Sequence, residues 1–209
     1  MKIGIYGGTF NPIHEGNMGL ALLAKKRYGL DRVLFLPSGD SYMKENVLDP
    51  EIRYQMVCLA IGGIDGFEAS DLEIRRSGPT YSYETIEEFH RLYLHAELYF
   101  LMGEDSLRQI ESWKEPAKLM GQCSLIVAAR SDCGLTAKEP EKNKSLPEKS
   151  LRQYSEELEQ KYHSQIYCME YDMPVSSSKI RKLVKEGRGI TGLVPKAVEQ
   201  FILKEQLYR

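Results

Sequence analysis

Apolar positions along the chain follow two alternating periods. "KIGIY" (2–6), "RVLFLP" (32–37) and "ELYFLM" (97–102) are short, nearly continuous apolar runs that predict strands. Between them, "NMGLALLAKKRYG" (17–29) and "PEIRYQMVCLAI" (50–61) repeat apolar residues at helical spacing. Gly29 ends the first helix, and Pro50 opens the second at a favoured position. "FEASDLEI" (67–74) reads as extended and "SYETIEEFHRLYL" (82–94) as an amphipathic helix. "CSLIVAAR" (123–130) is the most continuously apolar strand and "QIYCMEY" (165–171) the last, with helices at 151–162, 177–187 and 195–205. Strands that are apolar throughout and separated by helices predict an α/β fold, a doubly wound parallel sheet covered by helices on both faces. No internal repeat interrupts the pattern. The polar stretch 131–150 has too little apolar content for core and is expected to be a mobile loop within a single domain spanning 1–209.

Composition narrows the function classes. The 209 residues can bury a substantial core. Lys and Arg number 28 against 30 Asp and Glu, a net charge of -2, which argues against non-specific binding of nucleic acid. Cys58, Cys123, Cys133 and Cys168 form no C-x-x-C pair, and with His14, His90, His95 and His163 they give no zinc spacing. They read as reduced, mostly buried thiols of a cytosolic protein. The strand-like start lacks a signal peptide, and no apolar run is long enough to cross a bilayer. No membrane partner is expected.

Chemistry concentrates in two stretches. In an open α/β sheet, ligands bind at the carboxyl ends of strands where the strand order reverses, a place usually taken by the first strand and its loop. Here that loop is "GGTFNPIHEGN" (7–17). Gly7 and Gly8 let the backbone approach a ligand and present N–H groups, which suits phosphate. The stretch is neither G-x-x-x-x-G-K-[ST] nor G-x-G-x-x-G, so P-loop hydrolases and dinucleotide oxidoreductases lose support. The second stretch, "VSSSKIRKLVKEG" (175–187), sets Ser176, Ser177 and Ser178 at a helix start with Arg181 one turn on. Hydroxyls, unpaired helix N–H groups and a guanidinium are thereby expected to converge on an anion. Simple capping by one serine is the alternative.

Together the two stretches resemble the [ST]-F-[DN]-P-x-H-x-G-H and I-S-S-T-x-I-R signatures of the HIGH-type nucleotidylyltransferases, whose fold is Rossmann-like. Three further segments, "SDLEIRRSGPTYSYETI" (70–86), "FLMGEDSLRQIESW" (100–113) and "GLVPKAVEQFILKEQLY" (192–208), are similar to the nicotinate-nucleotide adenylyltransferase branch. The resemblance therefore runs nearly end to end. It implies transfer of an adenylyl group from ATP, with its Mg²⁺, to nicotinate mononucleotide. It implies backbone contacts from Gly8, Thr9 and Phe10 to phosphate, and His14 on the triphosphate. Ser177, Ser178 and Arg181 would hold the outer phosphates, and Gly103 and Asp105 the adenosine ribose. Thr85 and the turn around it would meet the nicotinate carboxylate, Trp113 would stack on the pyridine ring, and Lys44 would pair with the mononucleotide phosphate. Plainer roles stand beside these: Asp105 as a helix N-cap, Trp113 as core filler, Lys44 as a solvated loop lysine.

The match departs from the family pattern at Asn17, where a second histidine is usual, and at Ser41-Tyr42-Met43 and Ile52, which stand where the family has Pro-Pro-His and His. An asparagine can donate through its amide but carries no charge, so slower turnover is expected. Two other readings stay open: a related transferase such as the pantetheine-phosphate enzyme, and a nucleotide-binding regulatory protein that has lost catalytic rate. Self-association into a homo-oligomer is compatible with either.

Overall fold

A computed structural model describes residues 1–39, 47–129, 149–172 and 175–209. The strands are β1 (Lys2–Gly8), β2 (Arg32–Pro37), β3 (Phe67–Ala69), β4 (Glu97–Gly103), β5 (Ser124–Ala129) and β6 (Ile166–Glu170). The helices among the described residues are α1 (Glu15–Tyr28), α2 (Pro50–Ile61), α3 (Leu72–Arg75), α4 (Ser82–Leu92), α5 (Glu104–Leu107), α6 (Pro116–Gln122), α7 (Leu151–Tyr162), α8 (Ser177–Lys185) and α9 (Lys196–Lys204), with a 3₁₀ turn at Ile110–Ser112. All sheet pairings are parallel, in the order β3-β2-β1-β4-β5-β6. The expected doubly wound α/β sheet is therefore present.

Each face of the sheet carries its own core. Ile3 and Ile5 of β1 point into one with Phe89 of α4, Leu119 of α6 and Leu158 of α7. Tyr6 points into the other with Ala21 of α1, Met56 of α2, Ile180 of α8 and Val198 of α9. This is why the strands lack a polar face: both sides exclude water. Gly29 ends α1 as expected, taking φ 63, a left-handed conformation that costs glycine nothing.

The sheet order reverses between β1 and β4, and there the two strands part. Their pairing runs from Lys2↔Glu97 to Tyr6↔Leu101. Beyond it β1 stays with β2 as far as Gly8↔Pro37, and β4 stays with β5 as far as Gly103↔Ala128. A crevice opens between the two strand ends, where such folds take their ligands.

Three expectations change. The segment 67–74, expected to be extended throughout, is strand only to Ala69 and then turns into α3, where Glu73 is the buried residue and Leu72 and Ile74 are half-exposed. Asp105 is not an N-cap; Gly103 takes that position and Asp105 sits exposed in the first turn of α5. Of the described cysteines, all free, Cys123 is buried, Cys168 half-buried and Cys58 exposed. The expected loop at 131–150 falls almost wholly outside the described residues.

Candidate active site

The loop after β1 is shaped by what its residues bury. Phe10 takes φ 46, in the left-handed region, while its ring is only 4 % exposed between Tyr6 and Phe35. A Cβ on Gly8 would stand 3.0 Å from that ring, so glycine is what lets the chain fold back here. Phe10 is thus an anchor in the core rather than a wall of the site. Three carbonyls of the loop are tied from below. Thr9 accepts from Arg53 Nη1 at 2.8 Å, Asn11 from Arg181 Nη1 at 2.8 Å and Pro12 from Ser177 Oγ at 2.9 Å.

The loop ends at His14, which caps α1. Its Nδ1 accepts the N–H of Asn17 at 3.3 Å, while Asn17 Oδ1 accepts the N–H of His14 at 3.1 Å, a reciprocal capping box. A backbone N–H can only donate, so Nδ1 is the lone-pair nitrogen and the ring proton lies on Nε2. Burial pushes the His14 pKa down to about 4, keeping the ring neutral near pH 7. His14 therefore presents an uncharged N–H donor. Asn17 also donates from Nδ2 to the Tyr6 hydroxyl at 2.8 Å; burial raises that phenol to about 12, so it stays protonated. Asn17 thus orients His14 and Tyr6, a role its amide fills with both ends.

The three serines at the start of α8 do not converge on one point as expected. Ser176 is the N-cap, accepting from the N–H of Lys179 at 3.3 Å. Ser177 holds Pro12, and Ser178 accepts from Arg181 Nη2 at 3.4 Å. Helix α8 is thereby locked against the loop at residues 11 and 12, beside the His14 cap.

A cleft of about 540 Å³ occupies the crevice between β1 and β4. One wall is Gly7, Gly8 and Thr9, with Met102 and Gly103 facing them from β4. The outer end is aromatic and polar, formed by Trp113 with Glu73, Thr80, Tyr81 and Ser82. Trp113 is half-buried, packed edge-to-face on Phe100 at 6.2 Å, and so serves both the core and the cleft. His14, Asn17 and the α8 residues are not among these walls; they gather around residues 11–14 of the same loop.

Thr85 departs from expectation. Its side chain is fully buried, donates to Glu73 Oε1 at 2.9 Å and accepts from Arg76 Nη1 at 3.2 Å, so its hydroxyl does not face the cleft. The group that does is Glu73, whose carboxyl is raised by burial and partly restored by hydrogen bonds from Thr85 and Thr80. No local signal singled it out, since Glu68, Asp71 and Glu73 all fall in the same stretch. Arg53 was the other residue passed over. It is 1 % exposed, and its guanidinium serves Leu48, Thr9, Ser38 and Gly39 carbonyls, joining the loop to the end of β2. Lys44 lies outside the described residues.

A parallel sheet reversing at β1/β4, with a tied-back glycine loop and two helix starts at the reversal, defines an α/β nucleotide-binding protein that handles phosphate without a P-loop. The cytidylyltransferase-like family model matches residues 5–183. A probable nicotinate-nucleotide adenylyltransferase of Maridesulfovibrio salexigens is 37% identical over 203 residues, covering 96% of this chain and 94% of that one. One of Clostridium tetani is 36% identical over 211 residues, covering 100% and 99%. Among solved structures, the Plasmodium falciparum nicotinic acid mononucleotide adenylyltransferase complexed with NaAD shares the fold at a TM-score of 0.72 and 21% identity, over 99% of this chain and 97% of that chain. The chain belongs to the cytidylyltransferase-like family and, within it, to the nicotinate-nucleotide adenylyltransferases.

Proposed function

We propose that the protein transfers the adenylyl group of ATP to nicotinate mononucleotide, forming deamido-NAD and pyrophosphate. The observation that carries this is the loop 8–12, with its carbonyls tied to Arg53, Ser177 and Arg181, lying between a neutral His14 donor and a cleft that ends at Trp113. Carbonyls held in this way fix the shape of the loop beside the cleft, which is what positioning a phosphate requires.

A phosphate oxygen of the mononucleotide attacks the α-phosphorus of ATP in line. The new P–O bond forms as the bond to the β-phosphate oxygen breaks, and pyrophosphate leaves with the electron pair. The nucleophile is largely a dianion near pH 7, since its second pKa is about 6, so no general base is required. The protein aligns two polyanions and stabilises charge moving onto the leaving group. His14 Nε2–H and Arg181 at the start of α8 serve that charge. Mg²⁺ enters with ATP as part of the substrate and offsets the repulsion between phosphates. In this reading Gly103 at the end of β4 and Asp105 in the first turn of α5 take the adenosine ribose. Trp113 offers its face to the pyridine ring. The first turn of α4, where Tyr81 and Ser82 line the cleft and the cap has no side-chain bond, offers N–H groups to the carboxylate in place of the Thr85 hydroxyl.

The test is pyrophosphate release from MgATP with nicotinate mononucleotide, nicotinamide mononucleotide or phosphopantetheine. Turnover with nicotinate mononucleotide at a kcat/KM at least tenfold above the other two is expected. Preference for phosphopantetheine, or ATP binding with no turnover of any acceptor, overturns the proposal.

A further inference from the structure

Another tie to the loop 9–12 comes from the far end of the chain. The Tyr208 hydroxyl donates to Asn11 Oδ1 at 2.8 Å. Asn11 is only 4 % exposed, and its own carbonyl is the one held by Arg181. Asn11 is therefore gripped through its main chain by α8 and through its side chain by the C-terminal turn.

The backbone that delivers Tyr208 is unusual. Helix α9 closes with the N–H of Leu207 on the carbonyl of Ile202 at 3.0 Å and the N–H of Gln206 on that of Leu203 at 3.3 Å. This is a Schellman turn, but its left-handed position is Gln206, at φ 52, where glycine is the usual occupant. Two residues on, Tyr208 is left-handed again at φ 65, a conformation bulky residues seldom adopt. Such conformations persist where surrounding contacts over-determine them. Here Leu207 and Tyr208 pack on the α1-side core, which presses the phenol under the loop.

We propose that Tyr208 is a positioning residue for adenylyl transfer: its hydroxyl holds the Asn11 side chain while Arg181 holds the Asn11 carbonyl, so that the loop keeps the shape that receives ATP. The inference rests on the adenylyl-transfer reading above. Its physical basis is a bond that joins the C-terminal turn to a buried loop residue: without the phenol, the Asn11 side chain loses its hold on that turn and residues 9–12 gain freedom to move. Burial raises the Tyr208 pKa, with Arg181 and Arg53 opposing the shift, so the phenol keeps its proton for Asn11. The phosphate site then loosens, while Trp113 keeps its packing on Phe100.

The test compares wild type, Tyr208→Phe, Asn11→Ala and the double variant. The measurements are steady-state kinetics in both substrates, MgATP binding by calorimetry, and thermal unfolding. Tyr208→Phe keeps the ring and its packing, so Tm falls by only a few degrees, as expected from one lost hydrogen bond in a chain of this size. kcat/KM for ATP falls about tenfold and ATP binding weakens several-fold, the size expected from losing one hydrogen bond that shapes the site. KM for nicotinate mononucleotide stays within about twofold, which a general loss of structure would not give. In the Asn11→Ala background Tyr208→Phe adds no further loss, because the bond is already gone. Unchanged ATP kinetics and binding in Tyr208→Phe overturn the proposal, as do equal losses for both substrates or additive losses in the double variant. If Tyr208→Phe fails to fold, Asn11→Ala alone decides through the same split between ATP and mononucleotide. A wild-type protein that turns over no mononucleotide defeats the functional reading instead, and the calorimetric ATP affinities of the variants then decide the role of Tyr208.

Discussion

Replacing Arg53 should reveal how much of the site rests on one buried cation. The side chain is 1 % exposed and donates to the carbonyls of Leu48 at 2.9 Å, Thr9 at 2.8 Å, Ser38 at 2.6 Å and Gly39 at 3.0 Å. Burial lowers its pKa from the usual arginine value, with the nearby Asp49 among the groups that oppose the shift. A buried ion pair can often be exchanged for apolar residues at no cost. That escape is closed here, because the partners are main-chain carbonyls that no substitution removes. In Arg53→Met, four acceptors lose their donor. An unpaired buried acceptor costs ~1–3 kcal/mol, and water entering the vacated space would recover part of the sum, so a loss of about 3–5 kcal/mol is expected. For a chain of this size each kcal/mol lowers Tm by roughly 2–4 °C, giving a fall of about 6–20 °C. Arg53→Lys keeps the charge but offers one nitrogen, which cannot span both sides of the fork, so about half the loss should persist. Urea and thermal unfolding of the three proteins measure this directly. An Arg53→Met protein within about 1 kcal/mol of wild type would refute the account, since the carbonyls would then have been satisfied without the guanidinium.

Other outcomes follow from the same geometry. His14 is held neutral with its pKa lowered from 6.5 to about 4, so it contributes stability above pH 6.5 that is lost as the pH falls through that window; His14→Gln should flatten the fall in unfolding free energy between pH 7 and 5. Activity should show no acid limb from His14 in that range, and the limb observed should follow the substrate phosphate, with pKa about 6. Trp113→Ala should raise KM for nicotinate and nicotinamide mononucleotides alike, about tenfold or more from lost stacking, with KM for ATP little changed; an unaltered mononucleotide KM would remove Trp113 from the site. Thr85→Val leaves Glu73 Oε1 without its shortest donor, so a stability loss of ~1–3 kcal/mol is expected with only a modest change in carboxylate preference. Ser177→Ala, which frees the Pro12 carbonyl, should lower kcat/KM for ATP with a stability loss of about 1 kcal/mol in chemical denaturation.

The periodic apolar pattern determined the strand–helix alternation, the helix ends at Gly29 and Pro50, and hence a parallel sheet with two covered faces. That information is local: it reports which face of each element avoids water, and neighbouring residues suffice to show it. That the glycine pair, His14 and the serine-rich stretch stand at the ends of elements was legible for the same reason. Which polar groups pair with which was decided only by tertiary structure. Thr9 meets Arg53, Asn11 meets Arg181, and Asn11 meets Tyr208 across 44, 170 and 197 residues. No local period encodes those meetings; they depend on the reversal between β1 and β4 and on α2, α8 and α9 packing on one face of the sheet. Glu73 shows the limit most sharply: the stretch 67–74 reads as extended, and nothing local sets Glu73 inward ahead of Leu72 and Ile74. A carboxylate goes inward when hydrogen bonds await it, and those came from Thr80 and Thr85, on a turn and a helix that only the folded chain sets beside it.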